Sequence, residues 1–136
     1  MNGGFIRICT LLGRICLAAI FFVSAAGKMS DIAGTTGFMA SKGIPMAGLL
    51  IWGALACEII GGLLVLVGFR ARFGAFLLLL FLIPTTLIIH NFWGVAGQER
   101  TAQMLQFLKN VAIMGGLLLV CAYGAGPLGL DARRRR

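Results

Sequence analysis

Four stretches of almost uninterrupted apolar residues constrain this chain more than any other feature: Phe5 to Lys28, Met46 to Phe69, Phe73 to Phe92, and Met104 to Tyr123. Each has the roughly 20 residues that a helix rising about 1.5 Å per residue needs to cross a hydrocarbon layer about 30 Å thick. Lipid offers backbone N–H and C=O groups no partners, so a span must satisfy them itself, as a helix or in a closed barrel. Spans this long and continuous exclude barrel strands. The expected fold is an all-α membrane protein, a four-transmembrane-helix bundle that takes up residues 1–136 as a single domain. Composition agrees. Of 136 residues, 60% are hydrophobic and 12% charged, with a mean hydropathy of +0.99, against roughly 45–50% and 25% in soluble domains.

Charge sets the orientation. The net charge of +8 is dispersed between the spans with no basic patch, which excludes nucleic acid as a partner and leaves the lipid bilayer. With the N and C termini cytoplasmic, Arg7, Arg14, Arg70, Arg72 and Arg133 to Arg136 fall on or toward the inner side, against Lys28, Lys42, Arg100 and Lys109 outside. The localisation expected is a multi-pass position in a bacterial inner membrane. GFRAR (Gly68 to Arg72) is then a cytoplasmic turn, and residues 129–136 form a basic tail held to anionic headgroups at roughly 1 kcal/mol per charge. The connection MSDIAGTTGFMASKGIP reads as a short interfacial helix between helices 1 and 2. Arg7 and Arg14, the ICLAAIFFV core and the SAA that follows also fit a secretory signal peptide. The apolar stretch continues to Lys28, so retention of the first span is expected.

Small residues suggest how the helices meet. Gly53, Cys57 and Gly61 recur every four residues, Gly62 joins them, and Gly115 and Gly116 lie on the fourth span, allowing close backbone approach within the bundle or across a homo-oligomer face. Cys9, Cys16, Cys57 and Cys121 lack a C-x-x-C spacing and read as packing residues. No metal site is expected: one histidine and no zinc-type spacing are present. A haem would need a ligand from another subunit. Pro84 interrupts the third span, with Thr85 and Thr86 positioned to cover freed backbone groups.

A charge within the membrane is costly and calls for a partner or a purpose. Glu58, ten residues from Gly68 and thirteen from Pro45, lies about 15 and 20 Å from the two ends of its span. Arg14, fourteen residues before Lys28, lies about 21 Å below an outer boundary set there. The remaining axial gap of about 6 Å predicts a buried Arg14–Glu58 pair. Lys109 and Asn110 lie roughly 8 Å below the outer edge of the fourth span, with His90 level with Lys28. Gln103, Gln106 and Asn110 form a polar stripe that should face the interior. The candidate ligand-binding residues are therefore Arg14, Lys28, Glu58, His90, Lys109 and Asn110. They would form an outward-opening polar pocket, with Lys28 and His90 at its rim and the Arg14–Glu58 pair at its floor. Structural readings stand beside this one. Lys28 and Lys109 would snorkel, His90 would lie at the interface, and Glu58 would be part of a structural ion pair.

The frame from Arg14 to Lys28 ending in FFVSAAGK, GIP before the second span, CEIIGGLLVLVGFRAR with its Glu58, and HNFW followed by FLKNVAIMGGLLLV together resemble the DoxX family of small four-helix bacterial inner-membrane proteins. The resemblance covers about Arg14 to Val120. It implies a subunit of a membrane redox system that handles a quinone or a small anionic sulfur compound, as in a thiosulfate- or quinol-linked oxidoreductase or a complex linking thiol homeostasis with superoxide defence. Protein partners in a membrane complex are implied with it. By that resemblance His90 or Lys109 would hydrogen-bond a quinone oxygen and Glu58 would relay or accept a proton. The chain itself carries no haem, flavin or iron–sulfur motif, so no cofactor beyond a quinone is expected and electrons would have to come from elsewhere. The alternative is a non-catalytic scaffold, or a binding or carrier protein for a lipid or anionic metabolite.

Overall fold

The computed structural model describes residues 3–133. Helix α1 spans Gly3–Ser30, α2 Ile32–Ser41, α3 Ala47–Val67, α4 Ala71–Ile89, α5 Gly97–Tyr123 and the short α6 Leu130–Arg133, with a 3-10 turn at Phe92–Gly94 between α4 and α5. No strand occurs among the described residues. Four helices, α1, α3, α4 and α5, are long and apolar enough to cross a membrane. Positions 134–136 of the basic tail lie outside the described residues.

Local chemistry sets the ends of these helices. The Asp31 carboxylate accepts a hydrogen bond from Gly34 N at 2.8 Å and caps α2. Gly68, at φ +69°, closes α3 in the left-handed region that suits glycine, and its N–H bonds back to Leu64 O at 3.0 Å. A Cβ at Gly68 would also collide with the Arg14 guanidinium and meet Gly129 Cα at 2.6 Å, so the site admits only glycine. The next helix is capped from far along the chain. Asp131 Oδ1 accepts from Arg70 N at 2.8 Å and Oδ2 from Ala71 N at 3.0 Å, while Asp131 N donates to Gly68 O at 2.8 Å. These contacts place the C-terminal segment against the α3–α4 turn and α1, with Gly126 close to Thr10. The start of α1, the segment ending in α6 and that turn therefore share one end of the bundle, here called the terminal end. Helix α2 and the α4–α5 connection lie at the opposite, distal end.

Helix α3 packs between α1 and α4, α4 packs against α5, and α2 lies against α3. Phe21, Val65, Leu78, Leu79, Leu82 and Leu117, drawn from all four long helices, form the main core. Ala25, Ile51 and Leu55 form a second cluster, covered by Ile32 and Met39 of α2. Large apolar side chains cover the outside: Leu12, Val23, Leu49, Leu80 and Leu119 are all more than half exposed. Such a surface belongs in hydrocarbon.

The small residues divide into two kinds. A Cβ at Gly61 would come within 2.7 Å of Leu78 Cγ, and one at Gly74 within 2.6 Å of Leu64 Cβ, so α3 and α4 nearly touch there. Gly62 faces Phe22 and Gly116 faces Leu17, each at 3.0 Å. Gly53 and Gly115 have nothing within 4 Å. Close approach is thus confined to part of the expected stripe. Cys9 and Cys16 are exposed on the outside of α1, not packed as expected. Helix α5 begins seven residues before the apolar stretch, because its first turns, carrying Gln98, Glu99 and Arg100, are helical without being hydrophobic. Phe92, Trp93 and Phe107 meet edge-on with centroids 5.2 to 5.9 Å apart and fasten the connection to α5.

Candidate functional site

The expected Arg14–Glu58 pair does not form. Glu58 instead binds Lys28, whose Nζ lies 2.9 Å from Oε1 and 3.0 Å from Oε2. Two features of helix geometry explain the exchange. Side chains lean toward the N-terminus of their helix. On α1 this carries Lys28 down into the bundle, toward Ser24 and Glu58, and carries Arg14 away from Glu58. The helix register adds to this. Arg14 Nη1 donates to Leu66 O at 3.1 Å and to Val65 O at 3.5 Å, and Leu66 is eight residues, about 12 Å, along α3 from Glu58. Arg14 therefore holds the last carbonyls of α3, groups that a helix leaves without internal partners. It stands at the terminal end, outside the cavity described below.

Lys28 is fully engaged. Its three N–H donors face the two Glu58 oxygens and Ser24 Oγ, the last at 2.6 Å, and its ammonium stands 5.6 Å from the centroid of the Phe81 ring. One ion pair thus ties α1 to α3 and touches α4. Glu58 is 1% exposed, whereas the Lys28 side chain is 20% exposed. A pair so placed is neutral overall, which lowers the cost of its position in the span.

A second polar link joins α4 to α5. Thr86 donates its hydroxyl hydrogen to Leu82 O at 2.6 Å, so Oγ1 can only accept, and it accepts from Asn110 Nδ2 at 3.0 Å. This fixes the orientation of the amide and leaves Asn110 Oδ1 and one N–H without a protein partner. Thr85 bonds Phe81 O at 2.8 Å. The two threonines next to Pro84 thus bond the carbonyls one turn before themselves, and neither bonds Leu80 O, the carbonyl that the missing Pro84 N–H leaves free. His90 Nδ1 pairs with Gln103 Oε1 at 2.9 Å, and Lys109 donates to Gln106 Oε1 at 2.6 Å. Asn110 is buried and Gln103 half-buried, but Gln106 is exposed, so the stripe of α5 faces inward only in part.

Lys28, Glu58, His90, Lys109 and Asn110 all line one cavity of about 780 Å³ in the distal half of the bundle. This volume falls within the range of roughly 300–1,000 Å³ that holds a small organic ligand. Five of the six residues singled out by sequence therefore share a space. The space is not the polar pocket expected, because only eight of its 26 lining residues are polar. Ser24, Thr35, Phe81 and Thr85 also line it and had not been singled out. Ser24 could have been found from its place one turn before Lys28, and Thr85 from its place beside Pro84. Among the described residues, no group of three or more His, Cys, Asp or Glu side chains is placed to hold a metal ion.

Four membrane-length helices around a chamber of mixed polarity define a polytopic membrane protein with room for a small amphiphilic molecule. The chain belongs to the DoxX family, whose pattern it matches over residues 9–91. It is 35% identical to inner membrane protein YphA of Escherichia coli over 90% of this chain and 88% of that one. It is 31% identical to inner membrane protein YqjF of the same organism, over 89% and 88%. A putative oxidoreductase of Bacillus subtilis, CatD, is 36% identical over 65% of this chain and 64% of its own. No solved structure matches. Together with the four apolar helices, the relatives identify a multi-pass inner-membrane protein.

Proposed function

We propose that this protein binds a membrane-soluble amphiphile, a quinone, in the distal cavity and serves as the membrane subunit of a redox-linked system whose electrons come from partner proteins. The observation that carries this reading is the Asn110 amide, with one donor and one acceptor left over at the edge of a largely apolar chamber. A quinone carbonyl needs the donor and a quinol hydroxyl the acceptor. Lys109, with two further N–H groups, and Ser24, whose hydroxyl hydrogen is not committed, extend the same capacity. Glu58 stands beside the chamber as a carboxylate that can exchange a proton with the bound ring, held in place by Lys28. The name of CatD supports an oxidoreductase setting, and the apolar lining supports a ligand drawn from lipid. In the orientation set by the positive-inside rule, the chamber faces the outer half of the membrane.

The contrasting reading is a non-catalytic scaffold or carrier that binds a lipid or an anionic metabolite. One observation favours it. The charges of Lys28 and Glu58 cancel, which leaves Lys109 as the uncompensated charge at the cavity. Organic extraction of the purified protein separates the two. Quinone recovered near one equivalent and lost in Asn110→Ala supports the proposal. A quinone-free preparation that retains phospholipid or an acidic metabolite through Lys109 supports the alternative.

A further inference from the structure

The cavity is not closed by the bundle. Gly53 and Gly61 lie two turns apart on α3, yet Gly61 is pressed against Gly74 and Leu78 of α4 while Gly53 has nothing within 4 Å. The two helices therefore touch toward the terminal end and part toward the distal end. Pro84, which removes a backbone bond from α4, lies in the parted section. Leu50, Gly53, Leu80, Pro84 and Ile88 all line the cavity, and all are exposed on the outer surface of the bundle. A residue that does both stands at an opening, and in a membrane this opening meets hydrocarbon, not water.

We infer that the slit between the distal halves of α3 and α4 is the passage for the hydrocarbon tail of the bound quinone, with Gly53 keeping it clear. The inference rests on the quinone reading above and adds to it a route and a substrate class: a long-tailed molecule loaded sideways from the bilayer. The distribution of polar groups selects this side. The opposite side, where Ile20 and Val23 of α1 line the cavity, carries Lys109 of α5 with its Gln106 partner. The α3–α4 side, with Leu50, Gly53, Ala54, Leu77, Leu80 and Pro84, offers a chain only apolar contacts. A bound ring would hydrogen-bond Asn110 while its tail lay along Gly53 and Pro84 into lipid.

The test uses the full chain in lipid nanodiscs and two probes, tail-less dimethoxymethylbenzoquinone and its decyl-tailed analogue. Gly53→Leu is the informative variant, since the added side chain meets no protein atom near its Cβ and is accommodated without disturbing the helices. It should weaken the decyl analogue about tenfold and leave the tail-less probe unchanged. Val23→Trp, at the opposite wall of the cavity, should weaken the decyl analogue no more than the tail-less probe, and Leu105→Trp, exposed on α5 outside the cavity, should leave both unchanged. Equal affinity of the decyl analogue for Gly53→Leu and the unsubstituted protein overturns the route, as does equal loss of both probes. Loss of the decyl analogue in Val23→Trp alone overturns it in favour of an exit beside α5. If neither probe binds the unsubstituted protein, the quinone reading itself fails and the route fails with it.

Discussion

Replacing Lys28 with methionine should be the most damaging single change at the ion pair, and the structure says by how much. Glu58 is 1% exposed and both its oxygens bond to Lys28. Removing one partner of a buried pair costs about 3–5 kcal/mol, because the other is left buried and uncompensated. Lys28 is itself 20% exposed, which places the expected loss at the lower limit, about 3 kcal/mol. The reverse change, Glu58→Met, should cost only about 1–2 kcal/mol, because the flexible stem of lysine can carry its ammonium to the distal surface. The double variant Lys28→Met/Glu58→Met, with two apolar side chains of fitting size, should return to within about 1 kcal/mol of the original. Reversible unfolding in mixed micelles, read by tryptophan fluorescence and repeated for each variant, gives these differences and the coupling between them. Equal losses for the two single variants, or simple additivity in the double, would falsify the description of a short buried carboxylate held by a longer, partly accessible cation.

Other consequences follow from the same contacts. Arg14→Leu removes the donor to Val65 O and Leu66 O and should lower stability by about 1–3 kcal/mol while leaving quinone affinity unchanged; an affinity loss would return Arg14 to the ligand site. Asp131→Ala strips the cap from α4 and should cost about 1 kcal/mol in the same unfolding assay, with no cost if the C-terminal segment does not dock there. Gly61→Ala should destabilise by about 1–3 kcal/mol through collision with Leu78, whereas Gly53→Ala should be neutral or slightly stabilising in a helix. Asn110→Ala should weaken quinone binding about tenfold, measured by titration in nanodiscs, and an unchanged affinity would remove the amide from the site.

The helical bundle was legible in the sequence because lipid permits few alternatives: a long apolar span must be a helix, and its length is fixed by the thickness it crosses. The set of cavity residues was legible for a related reason. A carboxylate or amide buried at membrane depth faces inward, so Glu58 and Asn110 meet Lys28 and His90 at one cavity once the helices pack, while Lys109 stays exposed at its edge. Their pairing was not legible, since counting residues places Cα atoms and says nothing of which way a side chain leans. Arg14 and Lys28 share a face of α1 and differ in that their side chains, both leaning toward the N-terminus, bring one toward Glu58 and take the other away. The cap supplied by Asp131 lay hidden for another reason, as it joins positions 60 and 61 residues apart through a loop with no periodic pattern. The division of labour between Gly61 and Gly53 depends on where α3 and α4 part, a matter of tertiary packing that a small-residue stripe does not encode.

Photolabelling with an azido-quinone bears most directly on the central claim that polar groups from separate helices build one ligand chamber. Digestion and mass spectrometry of the labelled protein should find the adducts concentrated on cavity residues of α3, α4 and α5, competed away by unlabelled quinone and reduced in Asn110→Ala. Adducts spread over the outer faces, at Leu12, Leu49 or Leu119, and indifferent to competitor would show that the chamber holds no quinone and contradict the account.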